Sequence, residues 1–173
     1  NNYFAKPLLT KEIKMLLKTI LNSVEKHPLF VYGTPVIISK DGAKRIEIPI
    51  KARKGSKGIC SSCHKPAFGY DTQAVRRFSF IPFWGFLVFF LYAPRRVNCL
   101  NCGVKIEEMP WADGKSDQTK SYAWFLADWA KVLNWKEVGV HFKTSWHHVF
   151  TAVKMAVAWG RERMDIENIT AIG

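Results

Sequence analysis

The chain has 173 residues, 48% of them hydrophobic, and carries 26 lysines and arginines against 14 acidic residues, a formal net charge of +12. That is enough apolar material for one ordinary domain or two to three small ones with separate cores, and the charge suits a polyanion: DNA, RNA or an anionic membrane surface. The four cysteines fall into two Cys-x-x-Cys pairs, and the opening Asn1-Asn2-Tyr3 shows neither an initiator methionine nor a charged-then-apolar leader; a secreted disulfide scaffold is therefore not expected, a reducing cytosolic setting is expected, and the N-terminus is expected not to be the natural one.

Residues 10–26 read as an amphipathic packing helix. Ile13, Leu16, Leu17, Ile20, Leu21 and Val24 recur at three- and four-residue spacing, Thr10 is placed to cap the start, and Pro28 ends it. Residues 29–50 read as strands, with Asp41-Gly42 between two apolar runs supplying the backbone dihedrals of a tight hairpin. Residues 51–57 (KARKGSK) read as a short, flexible, basic linker able to touch phosphates. Residues 58–110 hold both cysteine pairs and, between them, the apolar run 78–92. That run is shorter than the roughly 20 residues of a membrane-spanning helix and is broken by Pro82 and Gly85. It reads as two aromatic strands joined by a Pro-Phe-Trp-Gly turn, and no membrane partner is expected. Residues 111–119 (WADGKSDQT) read as a second, polar linker, and from Lys120 to Arg163 the pattern is helical.

Cys60 and Cys63, and Cys99 and Cys102, each place two thiolates on one tight turn, and two such knuckles complete the closed four-thiolate shell of a structural zinc ion. The 35 residues between the pairs suit a ribbon in which a hairpin leaves one knuckle and returns to the other, with Gly103 relieving the second turn. His64, beside Cys63, is expected to stand outside the ligand set. A closed shell leaves no position for water, so this metal is expected to hold structure and to do no catalysis. Arg76, Arg77, Arg95 and Arg96 flank the two ends of the aromatic hairpin, and are expected to form a cationic patch beside the metal for a phosphate backbone.

The helical segment divides into a first helix marked by Tyr122, Phe125, Leu126, Trp129, Val132 and Leu133, a short second helix over 135–142, a turn at Lys143, Thr144 and Ser145, and a third helix over 146–160 capped by Ser145. This is the layout of a helix-turn-helix, whose last helix enters the major groove by its N-terminal end. Trp146, Val149, Phe150, Val153, Val157 and Gly160 are assigned to its buried face, and His147, His148, Thr151, Ala152 and Met155 to the outer one. The expected DNA contacts here are Lys143, Thr144, Ser145, His147, His148, Thr151 and Lys154. Adjacent histidines on a helix point about 100° apart, so His147 and His148 do not read as a metal pair.

Arg95 to Val104 (RRVNCLNCGV) followed by Met109, Pro110, Trp111 and Ala112 resembles the zinc-ribbon segment of insertion-sequence transposases of the IS-L-three type. Trp135-Lys136-Glu137-Val138, then Thr144-Ser145-Trp146 and Val149-Phe150, resembles that family's helix-turn-helix, and Ile169 to Gly173 (ITAIG) is similar to the strand that opens its catalytic domain. The resemblance covers roughly residues 58–173 and extends only loosely over 1–57. It implies the DNA-binding part of a bacterial DDE transposase that holds the terminal inverted repeats of its element. The catalytic domain would use three carboxylates with divalent metal, Mg²⁺, for strand cleavage and joining. The first of those carboxylates would come just after Gly173, and Asp165 and Glu167 do not match the catalytic pattern. The chain itself is therefore expected to bind DNA and not to be an enzyme, in the bacterial cytoplasm with the nucleoid, with a homodimer formed through the full-length protein. The expected fold is α+β in small consecutive domains: an N-terminal helix and β-hairpin (1–57), a four-cysteine zinc ribbon (58–110), a helix-turn-helix (120–163) and the start of a truncated catalytic domain (164–173). The rival expectation is a zinc-ribbon interaction or transcription-regulator module that binds protein through the aromatic hairpin.

Overall fold

A computed structural model describes residues 7–40 and 43–163. Residues 164–173, read above as the opening of a catalytic domain, and the Asp41-Gly42 turn lie outside the described residues. The elements, in chain order, are α1 (Pro7–Val24), β1 (Phe30–Tyr32), β2 (Val36–Lys40), β3 (Ala43–Ala52), β4 (Gly58–Ile59), β5 (Pro66–Thr72), β6 (Arg76–Phe83), β7 (Phe86–Tyr92), β8 (Arg95–Cys99), β9 (Gly103–Ile106), α2 (Lys120–Trp129), α3 (Trp135–His141) and α4 (Trp146–Arg161). The fold is mixed α+β with two sheets, and it divides into two compact units at Thr119 and Lys120. No helix among the described residues is long and apolar enough to cross a membrane.

The first unit is built on β3. One edge of this long strand pairs antiparallel with β2 and then β1, and the other pairs parallel with β7, which pairs antiparallel with β6. Strict alternation puts Ile46, Ile48 and Ile50 of β3, Val88, Phe90 and Tyr92 of β7, and Phe78 and Phe80 of β6 on one buried face. The register aligns Ile48, Phe90 and Phe78 in one row across three strands. Trp84 and Gly85, both left-handed (φ 50° and 74°), make the two-residue hairpin turn between β6 and β7, and the register of β6 shifts between Phe80 and Phe83, around Pro82. Leu17 and Leu21 of α1 close the core. The helix begins at Pro7, whose preset φ suits a first turn, so Thr10 lies inside it and is not its cap.

The parallel pairing of β3 with β7 overturns the boundary placed between residues 57 and 58. The aromatic hairpin belongs to the sheet begun by β1 to β3 and not to the cysteine segment. Residues 51–57 are likewise no flexible linker: Lys51 and Ala52 end β3, the Arg53 amide donates to Leu29 O at 2.8 Å, and Arg53 Nε to Pro28 O at 3.0 Å. The expected polar linker at 111–119 is also part of this unit. Trp111 is 1% exposed, with the rings of Phe30, Tyr92, His27 and Phe78 at centroid distances of 4.8, 5.2, 5.5 and 6.3 Å. Beyond it Ser79 exchanges backbone hydrogen bonds with Asp117 and Thr119, so the segment lies along β6.

The second unit packs α2, α3 and α4 around Tyr122, Ala123, Leu126, Ala127, Val138, Val149 and Ala152. Asn134 and Glu137 form a reciprocal capping box at the start of α3, and Ser145 caps α4 by accepting from the His148 amide at 3.2 Å. Between them Lys143 is left-handed (φ 51°), and the Thr144 amide donates back to Gly139 O at 2.9 Å. A Cβ on Gly139 would meet Thr144 O at 3.0 Å, so glycine is what lets the turn close against α3. α4 sits rotated from its expected orientation. Ala152, assigned to the outer face, is fully buried, whereas Trp146, Phe150 and Val157, assigned to the core, are exposed.

Trp111→Ala should cost about 3–5 kcal/mol, the range for emptying a buried aromatic site. Urea denaturation of the whole chain measures it, and a midpoint unchanged from wild type would contradict the placement of Trp111 at the centre of the first core.

Candidate metal centre

The four cysteines come together at one end of the second sheet, in which β4, β5, β8 and β9 are antiparallel neighbours in that order. Cys60 follows β4 and Cys99 ends β8, so both are fixed by strands, while Cys63 and Cys102 sit on the turns beyond. All four Sγ atoms lie within 4.8 Å of one another, and Cys63 Sγ and Cys99 Sγ are 3.5 Å apart. In a tetrahedron with metal–sulfur bonds of about 2.3 Å, the sulfurs are about 3.8 Å apart, so this cluster is sized for one ion. No two of these cysteines are disulfide-bonded.

Both knuckles solve the same backbone problem. The chain must reverse directly after the second cysteine, and the residue there is left-handed in each: His64 (φ 57°) and Gly103 (φ 71°). His64 therefore serves the first turn by its backbone, and its ring turns to Glu108, with Nδ1 2.7 Å from Oε2, outside the cysteine cluster. Cys60 and Cys99 are buried with Ala67 and Val97. Gly58 permits the closeness, since a Cβ there would lie 2.6 Å from Val97 Cγ1.

The electrostatics match a site built for a cation. Backbone N–H groups of Ser62, then Cys63, hold the Cys60 thiol down, to about 7. The neighbouring thiol of Cys63, then burial, pushes Cys102 up to about 12. One thiolate forms readily and the last resists, because negative charge accumulates in a small space; a bound cation removes that resistance. Four sulfur donors are enough to complete one tetrahedral shell.

Comparison with protein-family models, with curated proteins and with solved structures finds no match to this chain.

The 35 residues between the knuckles are more than a returning hairpin. β5 and β8 pair directly with each other, Phe68 opposite Asn98, and the β6–β7 hairpin is inserted between them to build the other sheet. The expected cationic patch is largely engaged within the protein. Arg95 points inward, its Nε and Nη2 donating to the buried Glu107 Oε2 at 2.9 and 2.7 Å. Arg96 forks onto Asp71, with Nε 2.7 Å from Oδ1 and Nη2 also paired. Arg76 donates to the carbonyls of Gly114, Lys115 and Ser116, and Arg77 lies exposed over the ring of Phe89 at 4.7 Å.

Glu107 ties the two sheets together. It pairs with Cys60 in an isolated bridge, and its carboxylate accepts from Tyr92 of β7 and from both backbone and side chain of Arg95 in β8. Sequence reading missed it because an acidic residue in a polar stretch looks solvated; the signal was its place directly after a strand that returns from a cysteine knuckle.

In the three-helix unit, Thr144 and His148 bond each other (Oγ1 to Nδ1, 2.9 Å) and Ser145 caps α4, so these three build the turn. Lys143, His147, Thr151 and Lys154 stay exposed. Trp146 (63% exposed), Phe150 and Trp135 join them on the surface. The buried Gly139 and Ala152 were the available signal: small residues mark where helices approach most closely.

Chelation of the metal, or Cys99→Ser, is expected to abolish stoichiometric metal binding and to lower the melting temperature sharply, since structural metal sites link on the order of 10 kcal/mol of binding to folding. Metal analysis with thermal melting checks this, and a coincident melting curve counts against the site. Glu107→Gln should cost about 3–5 kcal/mol by leaving Arg95 without its counter-charge; a loss below about 1 kcal/mol in chemical denaturation would show that the pair is not buried in solution.

Proposed function

We propose that this chain is the DNA-binding portion of an IS-L-three-type transposase, in which a zinc ion held by Cys60, Cys63, Cys99 and Cys102 stabilises a ribbon and a helix-turn-helix grips the terminal inverted repeats of the element. The observation that carries this function is the exposed N-terminal end of α4, raised on the tight Lys143–Ser145 turn and carrying Lys143, His147 and Thr151, with Lys154 exposed further along the helix. An α-helix presented end-on in this way fits the major groove, where short polar side chains reach base edges and lysines meet phosphate. The order of the sequence motifs and the +12 charge support the same assignment. Zinc is preferred for the metal because four thiolates in a closed tetrahedron suit it and ask no redox chemistry of it.

In this function the residues 58–163 bind and orient DNA, and strand cleavage belongs to a carboxylate domain of the parent protein. Protein binding through the aromatic hairpin is less well supported, because Phe78, Phe80, Phe90 and Tyr92 are buried in the first core.

Salt-titrated binding to a duplex bearing the repeat end and to a scrambled duplex tests the proposal. His147→Ala with Thr151→Ala should lower affinity for the repeat by roughly tenfold and leave the scrambled duplex unaffected, whereas Lys154→Ala should weaken both and reduce the salt slope by about 1. Equal wild-type affinity for the two duplexes would remove sequence reading from the function.

A further inference from the structure

The sheet that carries the cysteines has a second face. Ala67, Val97 and Cys99 point to the buried side, so their neighbours along each strand point out. The β5–β8 and β8–β9 registers align Phe68, Asn98 and Val104 in one outward row, and Lys57, just before β4, extends that row with its Nζ 4.4 Å from the centroid of Phe68. The next row holds Asp71, Arg96 and Ile106. Tyr70, at the register shift in β5, leans on it with its ring 5.4 Å from the Arg96 guanidinium. Phe68 is 70% exposed and Tyr70 59%. Two bare rings two residues apart on a rigid sheet, each with a cation at its face, are not explained by folding.

We propose that this face binds single-stranded nucleic acid, with unpaired bases stacked on Phe68 and Tyr70. A stacking platform needs flat rings held open to solvent, and cations beside them to take the backbone. Asp71 offsets the charge of Arg96 but fixes the plane of its guanidinium against Tyr70, so Arg96 contributes a stacking surface and Lys57 the charge. The basic stretch 51–57 leads directly onto the row, and the exposed Asn98 amide lies between the strands where a base edge would pass. An apolar protein strand would use the rings but would gain nothing from a lysine over one of them. A duplex keeps its base faces stacked inside, so this surface is distinct from the α4 surface and suits melted or single-stranded segments.

The test is fluorescence anisotropy of the full, metal-loaded chain with a labelled oligothymidylate about 20 nucleotides long, beside a duplex of equal length. Phe68→Ala and Tyr70→Ala should each lower affinity for the single strand by roughly tenfold and leave duplex affinity unchanged. Phe68→Leu with Tyr70→Leu, which keep apolar bulk but lose the ring faces, should do the same with metal content intact. Failure of the wild type to bind the single strand, unchanged binding by the leucine pair, or an equal loss for duplex and single strand would each overturn the proposal. None of those results bears on sequence reading by α4, which the repeat-end duplexes test separately.

Discussion

A carboxylate with no exposed surface must find donors for both its oxygens, and Glu107 finds them in two different sheets. Tyr92 reaches it from the strand at the centre of the aromatic core, and Arg95 reaches it from the strand that ends in Cys99. Burial, and then Glu107 itself, push the Tyr92 hydroxyl well above its ordinary range, so the tyrosine stays a donor. Arg95 also holds Ser56 O at 3.0 Å, which fixes the approach to β4 and Cys60. A buried pair of this kind is poor evidence for net stability, but here it holds β8 in one register. Slipping β8 by one residue would bury Arg96 and Asn98 and expose Arg95 and Val97, and the carboxylate would be stranded.

The cysteine cluster depends on that arrangement. Each knuckle supplies two sulfurs, but the distance between knuckles is set by the pairing of β5 with β8 and by the bridge between Cys60 and Glu107. The aromatic core in turn depends on the insertion between β5 and β8, because the β6–β7 hairpin contributes two of its five strands. A long excursion between two cysteine pairs thus carries a second core with it, and the first unit folds as one body from α1 to Thr119.

Much of this was legible in the sequence where it rested on local pattern. The periodicity of α1, the strand pattern of β2 and β3, the two Cys-x-x-Cys pairs, the aromatic hairpin and the three helices all follow from spacing within a few residues. What was not legible involved partners distant in sequence. Parallel pairing of β3 with β7 leaves no mark in either strand, since alternation reads the same whichever neighbour it meets. Trp111 stood among aspartates, glycine and serine, and only the tertiary structure shows that Phe30, Phe78 and Tyr92 surround it. The α4 face was misjudged because large apolar residues were taken for the core, whereas close packing placed Ala152 there beside Val149.

The arginines carry the same lesson into function. A charge of +12 counts every cation as available to a polyanion, but Arg76, Arg95 and Arg96 each have forked or multiple bonds inside the protein, and Arg53 holds a carbonyl of the α1–β1 connection. The planar guanidinium suits such fixed geometry, while the lysine ammonium, on its flexible stem and strongly hydrated, remains at the surface. Lys57, Lys143 and Lys154 are therefore the cations best placed to release counterions from a phosphate backbone. Lys143 stands on the turn before α4, Lys154 two turns along it, and Lys57 beside the Phe68 ring, so both proposed nucleic-acid surfaces carry open lysines.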